Sequence, residues 1–299
     1  MKIKIGFIGC GGIANAHMQR LAKIEGVEFV GMCDIEKEKA EMAAQRYGGK
    51  VYTEFEKMLE EVKMDACYIC VPPFAHTGQE EICIEKGIHF FVEKPVHLDL
   101  SKAEDIAKKV KEKGIITGVG YVLRYFDVVQ EARGIIAKEE IAFARGRYYG
   151  GVPHEGKVEW IMKKTMSGGQ LIEQGTHIVN MMQYLLGDIE EVYGYKIEGI
   201  NSKIYPGYDV EDASTMVFKF KNGYIGNLTY TWLWSGFNSG VEVVGKGILI
   251  DYQGNTLNVD RGNKRTTFIS SLDPMLEEDK VFVKAVETGD TSSIRSDYL

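Results

Sequence analysis

A chain of 299 residues, 44% apolar and 26% charged, with ordinary glycine and few prolines, excludes a fibre or a disordered tail and leaves room for two domains, each with its own core. A formal net charge of −7 with no basic block argues against nonspecific nucleic-acid binding, which needs a cationic surface to displace counterions from phosphates. MKIKIGFIG lacks a signal-peptide core, no stretch reaches ~18 uninterrupted apolar residues, and five cysteines suggest reduced thiols, so the expectation is a cytoplasmic protein without membrane or nucleic-acid partners.

Strand-like and helix-like segments alternate over the first 120 residues. IKIGFIG reads as a strand, the stretch from about Ala14 to Ile24 as a helix, VEFVGMCD as a strand and EKEKAEMAAQRYG as a helix. KMLEEV, DACYICVPP, HTGQEEICIEKG and IHFFVEKP continue the rhythm, followed by the helix SKAEDIAKKVKEKG and the strand IITGVGYVL. Such alternation implies βαβ units and a parallel sheet, and the nearly all-apolar strands imply helices on both faces. Cys67 and Cys70 form a CxxC inside DACYICVPP, but side chains three apart on a strand point to opposite faces, so the pair reads as small core hydrophobes. His17, His89 and His97 show no ligand spacing; structural roles are expected for them, and no metal site.

After about Arg124 the pattern changes. RYFDVVQEARGIIA looks helical, AFARGRYYGG like a strand and GQLIEQGTHIVNMMQYLLG like one long apolar-faced helix. DASTMVFKFKNGYIGNLTYTWLW follows, with a hairpin turn at KNG, and GVEVVGKGILIDYQGNTLNV repeats the idea. The expectation is therefore an α/β chain: residues 1–122 with a parallel sheet, and residues 123–299 an α+β domain with a large, mostly antiparallel open sheet. Tyr230, Trp232 and Trp234 would share one face of a strand, covered either by this chain's own helices or by another subunit.

In IGFIGCGGIANAHM, Gly9, Gly11 and Ala14 stand between an apolar strand and a helix that Gly12 and Ile13 open. Missing side chains there let backbone N–H groups approach a pyrophosphate at the positive end of the helix. Twenty residues past Ala14, Asp34 closes VEFVGMC, where an acid can accept from both ribose hydroxyls and repel a 2′-phosphate. No arginine directly follows it, so NAD is preferred; Lys37 keeps NADP possible. Strand, turn, helix and acid in register favour a dinucleotide site over a bare glycine turn.

FVEKPVHLD puts Glu93, Lys94 and Pro95 at the carboxyl end of a strand, where open α/β sheets bind ligands. Together the glycine turn, VPPFAH, EKP and GGQLIEQGTHIVN resemble the Gfo/Idh/MocA family of nicotinamide-dependent oxidoreductases over nearly the whole chain. The resemblance implies a Rossmann domain, a second domain whose open sheet often mediates homodimers or homotetramers, and sugar or polyol substrates whose CH–OH carbon exchanges a hydride. By matching position it implies that Lys94 contacts the reacting hydroxyl and the nicotinamide ribose, that the Lys94–Pro95 bond is one the family frequently holds cis, and that Val71, Pro72, Pro73, His76 and Glu93 lie against the cofactor. A rigid loop with no ligand is the rival reading for Val71, Pro72 and Pro73, and capping of the next helix is the rival for His76. His177 matches the family's histidine and Glu173 an acid that is often aspartate. Tyr121 and Arg124 stand where relatives place substrate contacts, although an interdomain salt bridge explains Arg124 equally well. Trp160 stacks on a sugar or packs. Asn180 replaces a frequent aspartate, and a helix that relatives carry beyond SSIRSDYL is missing.

Glu173 and His177, four apart, share one helix face and would point into one cavity from the second domain while Lys94 enters from the first. Removing a hydride from a carbinol carbon requires the hydroxyl proton to leave as well. His177 is expected as the general base, Lys94 as electrostatic and relay partner, and Glu173 as the group that orients substrate or imidazole. A glycosidase working by transient oxidation with retained NAD, and a noncatalytic NAD or sugar sensor, are the alternatives; a sensor needs neither Lys94 nor His177.

Overall fold

The structure, a computed structural model, describes residues 2–299. It divides into two compact units, one running to Val122 and taking up Asp273–Leu299, the other spanning Leu123–Leu272.

The first unit alternates β1 (Ile3–Ile8), α1 (Gly12–Leu21), β2 (Val27–Cys33), α2 (Lys37–Tyr47), β3 (Lys50–Tyr52), α3 (Phe55–Glu61), β4 (Ala66–Ile69), α4 (Gln79–Lys86), β5 (His89–Val92), α5 (Leu100–Lys113) and β6 (Thr117–Val119). The strands form one parallel sheet in the order β3-β2-β1-β4-β5-β6. This is the doubly wound Rossmann order, with its reversal point between β1 and β4. Ile5, Phe7 and Tyr68 enter the core on one side of the sheet, while Ile8, Cys67 and Ile69 enter the core on the other. Period-two alternation thus buries both faces. Cys67 and Cys70 fall in these two different clusters, and all five cysteines are free and buried.

The second unit contains α6 (Asp127–Ile136), β7 (Ile141–Gly151), α7 (Lys164–Ser167), α8 (Thr176–Leu186), β8 (Ile189–Ile197), β9 (Ala213–Phe220), β10 (Ile225–Thr231), β11 (Leu233–Gly245), β12 (Ile248–Gln253), β13 (Thr256–Asp260) and β14 (Arg265–Ile269). Its eight strands run in the order β14-β13-β12-β11-β7-β10-β9-β8, antiparallel at every pairing except β10 with β7. Ile178, Met181, Met182 and Leu185 form the buried stripe of α8 and pack with Val128, Val129 and Ala132 of α6 against the inner face of the sheet. A Cβ on Gly146 of β7 would lie 2.7 Å from Ile178, so the glycine sets how closely helix and sheet approach.

Three expectations are corrected. The final 27 residues do not join the second unit: α9 (Pro274–Thr288) buries Phe282 and Val283 in the Rossmann core beside Phe7 and Leu21. The helix expected from Gly169 onward contains a π-turn, Leu171–Gly175, before α8 begins. Tyr230, Trp232 and Trp234 do not share a face, because the Thr231 hydroxyl donates to the Asp212 carbonyl and accepts the Leu233 N–H, bending the chain between β10 and β11. Tyr230 joins the main core, Trp232 a small separate one with Ile161 and Tyr208, and Trp234 is half exposed.

Candidate active site

At the carboxyl end of β1, Gly9 has φ +86°, and a Cβ there would lie 2.5 Å from the Cys70 carbonyl oxygen, so only glycine permits the turn. Gly11 caps α1, and no atom comes within 4 Å of a Cβ built on Gly11 or Gly12. That open space lies at the helix's partially positive end, with Ile13 exposed beside it and Ala14 fully buried beneath. Asp34, just past β2, is anchored toward this turn: its Oδ2 accepts the Cys10 N–H at 2.8 Å and its Oδ1 the Glu36 N–H at 2.9 Å. An adenosine ribose fits the remaining acceptor capacity of this carboxylate. Across the reversal point, Val71 abuts the turn, since its Cγ1 would be 3.3 Å from a Gly9 Cβ. Pro72 and Pro73 lead into a 3-10 turn, Pro73–Ala75, with Pro73 buried.

His76 pairs with a carboxylate of the next helix. Its side chain is sealed from solvent, and Nδ1 lies 2.5 Å from Glu80 Oε1 in the first turn of α4.

Glu93 and Lys94 follow β5 directly, and the Lys94–Pro95 bond is cis. Glu93 is buried, with Oε1 3.1 Å from His17 Nε2 and Oε2 accepting the Lys94 N–H at 3.1 Å. Gly120, after β6, leaves room for this carboxylate: a Cβ there would sit 2.7 Å from Glu93 Cδ. Lys94 itself is half-buried, and Tyr121 packs against the α4–α5 side of the sheet.

In the second unit the π-turn carries Glu173, which is buried, and the first turn of α8 carries His177, half-buried. A π-turn of this kind rotates the side chains that follow it relative to a continuous α-helix, and such turns recur at functional sites. Glu211 grips the segment, accepting the Leu171 N–H and the Tyr230 hydroxyl, both at 3.2 Å. The Tyr148 hydroxyl donates to Gln174 Oε1 at 2.9 Å; burial first, and the Glu173 charge second, push that phenol above its ordinary range. Arg124 donates from Nε to Asn180 Oδ1 at 2.7 Å and lies over the Tyr184 ring. An asparagine oxygen thus receives the contact that an aspartate would take. Trp160, on a 3-10 turn, packs against the small core of Ile161 and Tyr208.

Sequence reasoning missed Tyr148, Glu211 and the partners of His17. Tyr148 and Glu211 carry no motif, and the His17 partners lie 76 and 262 positions away along the chain.

Among the described residues no group of histidine, cysteine and carboxylate side chains could hold a metal, and no helix is long and apolar enough to cross a membrane. Comparison with known proteins adds the family. Residues 3–121 match the oxidoreductase family with NAD-binding Rossmann fold, and residues 129–249 match the GFO/IDH/MocA C-terminal domain. The chain belongs to the Gfo/Idh/MocA oxidoreductase family. Among relatives of this Gfo/Idh/MocA protein, myo-inositol 2-dehydrogenase of Thermotoga maritima is 26% identical, covering 98% of this chain and 90% of its own. The scyllo-inositol 2-dehydrogenase (NAD(+)) of Bacillus subtilis is 29% identical over 76% of this chain and 66% of its own. A levoglucosan dehydrogenase solved with NADH has the same fold, with TM-score 0.88 at 20% identity over 99% of this chain and 92% of that one.

Proposed function

We propose that this Gfo/Idh/MocA protein is an NAD-dependent dehydrogenase that moves a hydride between a CH–OH carbon of a sugar or cyclic polyol and the nicotinamide. The reading is carried by Lys94, on the turn after β5, in the same parallel sheet whose β1–α1 turn is left open at Gly11 and Gly12. The names of the inositol relatives support the substrate class. The dinucleotide, when bound, supplies the hydride acceptor. Gly9, Gly11, Gly12 and Ala14 would hold its pyrophosphate and Asp34 its adenosine ribose, and the Asp34 charge would disfavour a 2′-phosphate.

For the chemical step, His177 takes the hydroxyl proton on a ring nitrogen. The Lys94 ammonium steadies the developing alkoxide charge, and Glu173 orients the imidazole or the substrate. Tyr121, Arg124 and Trp160 are assigned to the substrate side, with Arg124 held by Asn180 and Tyr184.

The deciding experiment follows absorbance of reduced nicotinamide with inositols, sugars and sugar acids. Lys94→Ala should lower kcat by about a thousandfold and leave NADH affinity within about threefold. Undiminished turnover in that variant would refute the role of Lys94. Retained cofactor with bond hydrolysis and no net NADH would favour the glycosidase.

The outer face of the large sheet exposes Tyr193, Tyr195, Ile197, Val217 and Ile225, with Tyr193 opposite Val217 and Ile225 opposite Phe143. We assign this apolar face to self-association, as a dimer or tetramer. Light scattering reading a monomer at micromolar concentration would rule it out. Five buried free thiols suit a reducing, cytoplasmic setting.

A further inference from the structure

A histidine lies at the centre of the first unit with no solvent exposure at all. His17 belongs to the inward stripe of α1, with Ala14, Met18 and Leu21, where an apolar residue would ordinarily stand. Both of its ring nitrogens face carboxylate oxygens: Nδ1 is 2.7 Å from Asp279 Oδ1, and Nε2 is 3.1 Å from Glu93 Oε1. A neutral imidazole has one N–H and would turn its other lone pair toward an anion, so the geometry calls for the imidazolium with two donors. Asp279 also accepts the Tyr68 hydroxyl at 3.0 Å, and the His17 ring contacts the rings of Tyr68 and Phe91 at 5.3 and 5.0 Å.

The arrangement is directional. Asp279 comes from α9, reached only after the chain has built the whole second unit. Glu93 spends Oε1 on His17 and Oε2 on the backbone N–H of Lys94. The carboxylate is thereby fixed at both oxygens, and a buried carboxylate without a cation would be expelled toward water or protonated. We propose that His17 is a positioning residue: through Glu93 it fixes the turn that carries Lys94, and α9 supplies the carboxylate that holds His17. Its effect on turnover rests on the role proposed above for Lys94; its effect on the turn does not.

Amide hydrogen exchange separates the two, read on the cofactor-free chain of His17→Gln and, as a milder variant that keeps the imidazole, Asp279→Asn. The Lys94 amide should exchange about tenfold faster or more in His17→Gln, while the amides of Phe7 and Ile69 in the central strands keep their protection. kcat should drop by a similar factor with NADH affinity held within about threefold, and Asp279→Asn should move both readings the same way by less. Wild-type protection of the Lys94 amide in both variants would overturn the inference, as would collapse of both folds, which would make His17 a general core residue. A loosened Lys94 amide with unchanged kcat would uphold the positioning and overturn the catalytic role given to Lys94.

Discussion

Asp34 carries two duties on one carboxylate. It is expected to recognise a ribose, and it already receives the N–H groups of Cys10 and Glu36. Asp34→Ala should therefore weaken NADH binding by about tenfold or more and narrow the preference over NADPH. It should also cost on the order of 1 kcal/mol of stability from the lost backbone contacts of a half-exposed group. Fluorescence titration with both nucleotides, beside a thermal melt, checks this; an unchanged NADH-to-NADPH ratio would remove Asp34 from the ribose site. Its place just past β2 was legible because that position follows from a spacing along one βαβ unit, where local geometry ties sequence distance to spatial distance. His76 was not resolved in the same way. It sits one residue after a 3-10 turn, and its partner Glu80 lies one helical turn later, a pairing that no local pattern marks.

At the level of elements, the π-turn before α8 matters most. An uninterrupted helix is what apolar periodicity from Gly169 to Leu186 suggests, since the stripe of Ile178, Met182 and Leu185 is helical in period. The Leu171 N–H, at the start of the turn, has no carbonyl within the helix to bond, and Glu211 accepts it from the loop before β9. Gly169, at φ +97°, keeps its Cβ position clear for that carboxylate, which would lie 2.6 Å away. Glu211→Ala should leave the Tyr230 hydroxyl without this acceptor, cost about 1–3 kcal/mol in urea unfolding, and raise KM while lowering kcat, because the roles proposed for Glu173 and His177 depend on the segment that Glu211 holds. Glu211→Gln, whose amide oxygen still accepts, should restore most of both; equal kinetics for Glu211→Ala and wild type would show that the turn holds itself. No pattern in the local sequence announces a helix irregularity that a carboxylate forty positions away stabilises.

For the whole molecule, the buried cation sets a pH dependence. Burial by itself would lower the His17 pKa, but Asp279 first and Glu93 second raise it to about 10. Facing it are Asp279 and Glu278 of α9, Glu93 after β5 and Tyr68 of β4, while Arg20 on α1 and Cys70 after β4 act on those carboxylates. Burial raises both Glu278 and Asp279, with His17 opposing. A base raised in the folded state contributes stability that is full below its unfolded value of ~6.5 and is lost as pH rises through about 10. Thermal midpoints should therefore decline between about pH 6.5 and 10 in the wild type, and the decline should be shallower in His17→Gln; parallel curves would mean that the imidazole is neutral. Two sheets, their order of appearance, the glycine cradle, Asp34 and the turn at Lys94 were all determined by the sequence alone, because each follows from periodicities and spacings within a few tens of residues. The return of α9 to the first unit, the anchoring of His17 and the bend that separates Tyr230 from Trp234 were decided by tertiary structure. They depend on which distant surfaces meet to bury apolar area and to pair charges removed from water, and nothing local records that meeting.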